Sequence, residues 1–232
     1  MIVELPDIPR WVEAHGIATS DAGWRRDWDG GFALGHDAAR LAVIAGEPAV
    51  ENVRRFGADV PEHVVLVELE RERLVRVLEQ DGRRVVKAIL HTLPSPELLP
   101  DLEGGERLPA ETSLVHVPPD VGDEIERARR TRDIWAAWVD ERPVAFAYTP
   151  WRSGSWFDIS VDTLGEARQL GLGTVVAVAM IRAERAAGRE PVWGADEDNA
   201  ASLRLAARLG FVATDAIWVA APAGPSSRAE QT

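Results

Sequence analysis

The sequence predicts a mixed α/β protein, and two observations carry that prediction. Short apolar runs at 41–45, 63–67 and 85–90 alternate with helical patterns over the first part of the chain. Further on, a strand pattern turns through a glycine-rich loop into a long apolar helix pattern, from Thr174 to about Ala187. With 232 residues, 46% of them hydrophobic, the chain can build one large domain or two small ones.

Taken in order, residues 8–15 read as a short helix. Trp24 and Trp28 stand four apart, a spacing at which two indoles cover a core edge or line an acceptor pocket. Residues 41–45 are a strand, and Gly46-Glu47-Pro48 opens a helix with proline in its first turn. A second strand at 63–67 is followed by a helix over 70–80, with Leu74, Val77 and Leu78 on one face, and by a third strand at 85–90. Together these suggest an N-terminal α/β lobe, residues 1–110, ending in the Pro-, Gly- and acid-rich stretch 93–109.

A second unit is expected over 111–220. Its elements are a strand at 113–117 stopped by Pro118-Pro119, a helix over 122–132, and a hairpin of 134–139 and 143–148 about Asp140-Glu141-Arg142. A strand at 155–161 completes a meander. After the long helix come a short strand at 191–195, a helix opened by Asn199 and a last strand at 212–219. Residues 221–232 read as a disordered tail.

Composition removes several classes of function. A net charge of −12 argues against a general binder of nucleic acid or anionic membrane, and is compatible with a cationic amine substrate. The absence of cysteine excludes disulfides, thiolate catalysis and cysteine metal sites. The five histidines are scattered without ligand spacing, so no metal is expected. No apolar run nears 18 residues and the start lacks the order of a signal peptide, so a cytoplasmic protein is expected.

The informative stretch is Val161 to Thr174. Here Arg168-x-x-Gly171-x-Gly173 joins a strand to a helix start. First-turn amides and the helix dipole favour an anion there, and glycine lets a ligand approach the backbone closely; a plain tight turn is the other reading. Downstream, Asn199-x-x-Ser202 opens a helix that ends at Leu209-Gly210-Phe211. With both motifs in this order, the stretch from about Asp133 to Val219 resembles the GCN5-related N-acetyltransferase (GNAT) family, a bacterial branch of it.

That resemblance implies a mostly antiparallel mixed sheet flanked by helices, with acetyl-CoA as co-substrate and an amine as acceptor. It implies a pyrophosphate site at Arg168, Gln169, Gly171, Leu172, Gly173 and Thr174. It also implies pantetheine contacts at Ser160, Val161 and Thr163, and an orienting role for Asn199 and Ser202. Many members place a tyrosine acid where this chain has Ala206. Candidates to fill the chemistry are Ser202 and the only tyrosine, Tyr148, as acid, and Asp158, inside an apolar strand, as base. Each has a structural alternative: helix packing, a core edge and a salt bridge, respectively. The expected activity is direct acyl transfer in a ternary complex, by a monomer or homodimer; the alternative is a non-catalytic acyl-CoA-binding or regulatory protein.

Overall fold

The computed structural model describes residues 5–58, 62–67 and 71–222. The expected tail from 221 lies almost wholly outside them. In chain order the elements are α1 (Val12–Ala18), β1 (Gly23–Trp28), β2 (Gly31–His36), β3 (Leu41–Gly46), α2 (Val50–Ala58), β4 (His63–Leu66), α3 (Arg71–Gln80), β5 (Arg83–Thr92) and β6 (Glu106–Arg107). They continue with α4 (Pro119–Ala128), β7 (Trp135–Val139), β8 (Arg142–Tyr148), β9 (Trp156–Asp158), β10 (Ser160–Thr163), α5 (Leu172–Ala186), β11 (Glu190–Asp196), α6 (Ala200–Arg208) and β12 (Val212–Pro222).

Two sheets result. One has eight strands in the order β1-β2-β3-β4-β12-β5-β11-β9, the other four in the order β10-β8-β7-β6. Most pairings are antiparallel; β3–β4 and β9–β11 are parallel. β5 lies between β12 and β11, so strands from both sides of residue 110 share one sheet.

Period-two alternation sorts the strand residues into opposite layers. In β3, Val43 and Ala45 join Trp11, Ala14 and Ile17 beside α1, whereas Ala42 and Ile44 join Leu74 and Leu78 of α3. In β8, Ala145 and Ala147 pack with Val176, Ala177 and Met180 of α5, whereas Val144, Phe146 and Tyr148 pack with Ile125 of α4. The sheets therefore carry α1 and α4 on one face and α3 and α5 on the other.

Two local expectations fail for identifiable reasons. Residues 113–117 form turns, not a strand: the free edge of β7 is taken by Glu106 and Arg107, and Leu108 N–H continues the pairing to Ile134 O at 2.7 Å. Leu114 and Val117 are buried all the same, under α4, while Val115 is 92% exposed. Trp24 and Trp28 belong to a strand, where alternation and not helical spacing puts them on one face. Both pack against the Ile44–Leu78 core, and a Cβ on Gly35 would lie 1.9 Å from the Trp24 ring, which is why that position is glycine.

Candidate functional site

The chain 156–163 begins in one sheet and ends in the other. Trp156–Asp158 runs parallel to Glu190–Val192 of β11, while Ser160–Thr163 pairs with Ala145–Tyr148 of β8. β11 continues to Asp196 without it, so the facing edges of β10 and of residues 193–196 diverge. The register fixes what the open edge presents. Leu164 N–H donates to Val144 O at 2.9 Å, which makes 164 and 144 a hydrogen-bonded pair. By alternation 162 and 160 are bonded to β8 as well, and the peptide groups of Val161 and Thr163 point the other way, into the gap.

The loop after β10 delivers a helix start to the same place. Gln169 and Gly171 both take positive φ, 69° and 79°, and Gly171 is the N-cap of the 15-residue α5. Thr174 and Val175 N–H groups fold back on Gly171 O, whereas the preceding amides of Leu172 and Gly173 have no helical acceptor, as at any helix start. Gly173 lies against β10: a Cβ there would sit 3.0 Å from Thr163 Oγ1 and 3.6 Å from Val161 Cγ1. Arg168 is exposed and reaches Thr163 O only loosely, at 3.5 Å.

α6 faces this region with its side chains engaged. Asn199 caps the helix, its Oδ1 accepting Ser202 N–H at 3.1 Å, and Ser202 Oγ accepts the Trp193 indole N–H at 2.9 Å. Ala206 is fully buried among Trp193, Leu209 and Phe211, with no surface from which a side chain could act.

The opposite face of 156–163 is acidic. Phe157, Ile159 and Val161 turn toward α5, so Asp158, Ser160 and Asp162 turn toward α1 and α4. Burial pushes Asp158 up to about 7, against one hydrogen bond from Ile159 N–H. Glu13 of α1 is pushed up to about 8 by burial and by the neighbouring Asp158 charge. Asp162 rises to about 6 through burial, then through Glu124 and Asp120 of α4. Tyr148 is buried and donates its hydroxyl to Glu124; burial and that charge push its pKa further up. Among the described residues none of Glu13, Asp158, Asp162 and Glu124 forms an ion pair, although arginines pair with acids at many other places.

Residues 135–218 match the family model for the GNAT acetyltransferase. That segment, in the C-terminal part of the chain, is similar to the GNAT acetyltransferases. The GCN5-related N-acetyltransferase-like protein from Streptococcus suis aligns with 93% of this chain and 94% of its own, at 18% identity and a TM-score of 0.65. A GCN5-related N-acetyltransferase from Kribbella flavida gives 17%, 93% and 95% coverage and 0.61. A GNAT-family acetyltransferase from Colwellia psychrerythraea gives 14%, 95% and 91% coverage and 0.55. No curated protein matches the chain. These likenesses establish the fold, and they extend over the N-terminal part as well as the GNAT segment.

The residues expected from the sequence to hold the donor, Val161, Thr163, Arg168, Gln169, Gly171, Leu172, Gly173 and Thr174, lie along β10 and the loop and helix start that follow it. It puts Asp158 and Ser160 on the other face of the same chain, and turns Tyr148 toward Glu124. Sequence reading missed Glu13, Glu124 and Asp162. Their only sequence signal is an acid in an amphipathic helix or strand, which reads equally well as a solvated position. Among the described residues no three His, Asp or Glu side chains gather as a metal site, and no helix is long and apolar enough to cross a membrane.

Proposed function

We propose that the protein is an acyl-CoA-dependent N-acyltransferase, most simply one that moves acetyl from acetyl-CoA to a primary amine. The observation that carries this reading is the conjunction of an unpaired strand edge with a helix start. An acyl-CoA has a pyrophosphate for the amides and dipole of α5 and a peptide-like arm for the outward groups of Val161 and Thr163. Gly171 and Gly173 let that arm lie close to the backbone, and Arg168 and Gln169 flank the pyrophosphate.

The chemistry follows from these positions. The neutral amine attacks the thioester carbon, the carbonyl oxygen becomes an oxyanion, and Val161 N–H is the donor placed to receive it. As the C–N bond forms and the C–S bond breaks, Asp158 takes the proton lost by nitrogen, and the departing thiolate is protonated from water. Asp158 suits this role because its raised pKa lets it hold a proton near neutrality. Ser202 accepts from Trp193 and keeps its own proton for the arm or a bound water. Ser160 and Asn199 act through placement, of the acceptor and of α6. Having no cysteine to carry the acyl group, the chain transfers it directly.

A second reading, a binding protein without turnover, is favoured by one observation: Ala206 and Tyr148 both leave the thiolate without a tyrosine acid. Thiol release from acetyl-CoA in the presence of a panel of primary amines separates the two. Turnover supports the enzyme; binding without turnover supports the alternative.

A further inference from the structure

We propose that Glu13 is a positioning residue for the transfer: it shares a proton with Asp158 and holds that carboxyl toward the acceptor amine, so that α1 is part of the reaction centre. This rests on the acyltransferase reading above. Asp158 stands where the chain passes from one sheet to the other, and its N–H donates to Trp151 O at 3.0 Å. α1 is seated on the same tryptophan: a Cβ on Gly16 would lie 2.6 Å from the Trp151 ring. Glu13 and Gly16 are three residues apart and share a helix face, so Glu13 looks onto the segment that carries Asp158. Trp156, two residues before Asp158 and on its face, packs in the same core as Trp11, Ala14 and Ile17.

Two half-buried carboxyls within one another's electrostatic reach and without a cation hold at most one negative charge comfortably. The charged groups on the surrounding elements do not supply the missing cation. His15 bonds Pro6 O, Arg152 is held by Glu184, His36 faces the Trp151 ring and Ser20, and Asp7, Glu190 and Asp162 are themselves acids. A shared proton therefore settles the pair. When the amine nitrogen forms its bond to the acyl carbon, its proton passes to Asp158 and the pair then holds two protons. One returns to solvent before the next turnover, while the sulfur, leaving with the electrons of the C–S bond, takes a proton from water.

The test uses the full chain, with Glu13→Gln and Glu13→Asp variants. Carboxyl carbon NMR titration of the wild type is expected to show Glu13 and Asp158 protonating together, in steps near pH 7 and 8. Glu13→Gln takes away the upper step, so Asp158 titrates alone in a single step near 7 set by its burial, and Glu13→Asp keeps the joint behaviour. In thiol release with the amine panel, the wild-type kcat/KM profile carries both steps, and Glu13→Gln loses the one near pH 8 while the acid limb near pH 7 stays. An Asp158 signal that follows the same single step with and without the Glu13 carboxyl overturns the pairing. A rate lowered equally at every pH, with both steps of the profile retained, reduces Glu13 to a structural residue. Calorimetry with acetyl-CoA separates the two levels: a wild type that does not bind it sinks the acyltransferase reading, and NMR still judges the pair. A wild type that binds without any turnover sinks the proton-accepting role.

Discussion

The two faces of residues 156–163 are built differently. On the α5 side, the groups offered to a ligand are backbone: the outward peptides of Val161 and Thr163 and the first amides of α5. On the α1 and α4 side they are side chains: Asp158, Asp162, Glu13 and Glu124. Acids on the two sides behave oppositely. Glu184 of α5 would be raised by burial, but hydrogen bonds and charge from Arg152 and Arg189 outweigh this and hold it below its ordinary value. Glu13, Asp158 and Asp162 have no such partner and are raised. The carboxylate that serves structure is given its cation; the one proposed to exchange a proton with a substrate is left without.

The contrast is most severely tested by Asp158→Asn. This near-isosteric change should lower thiol release with the amine panel by roughly 10²–10⁴-fold while leaving acetyl-CoA affinity unchanged by calorimetry. Equal losses in both would mean that the two faces are not independent.

Glu184→Gln should cost about 2–3 kcal/mol in urea unfolding at pH 7, because two arginines lose their partner. The folded pKa of Glu184 lies below its unfolded value, so its contribution is present above about pH 4.5 and is lost as pH falls through the folded value. The variant's deficit should therefore shrink in acid.

Glu13→Gln should behave in the reverse sense. Its folded pKa lies above the unfolded one, so the native state loses stability as pH rises from about 4.5 through about 8. Removing the carboxyl should raise Tm at pH 8 by about 2–4 °C and leave it unchanged at pH 4, as scanning calorimetry would show. A destabilised variant at pH 8 would mean that Glu13 has a cationic partner after all.

The same two faces differ in how far they were legible in the sequence. The glycine spacing of 168–173 and the Asn199-x-x-Ser202 spacing are local patterns; the structure puts the first at the open edge and makes Asn199 the N-cap of α6. Alternation in β3, β4, β8 and β11 was readable because burial leaves a period of two or a continuous apolar run. The transfer of 156–163 from one sheet to the other was not, since it depends on which partner each half finds: β11, whose Glu190 lies opposite Trp156 from beyond α5, or β8 just before it. For the same reason 113–117 looked like a strand although its edge was already occupied. The proposed pairing of Glu13 with Asp158 has no sequence spacing behind it, because α1 reaches that strand through tertiary packing, Gly16 on Trp151 and Ala14 and Ile17 in the core of Trp156.

The account stands on the donor edge, and calorimetric titration of acetyl-CoA tests it most directly. Wild type should bind. Gly173→Trp, checked for folding by circular dichroism, should bind at least about 100-fold more weakly, because a side chain there fills the approach between α5 and β10. Gly173→Ala, whose Cβ meets Thr163 Oγ1 at 3.0 Å, should fall between the two. A wild type that binds neither acetyl-CoA nor longer acyl-CoAs, or a folded Gly173→Trp that binds as well as wild type, would contradict it.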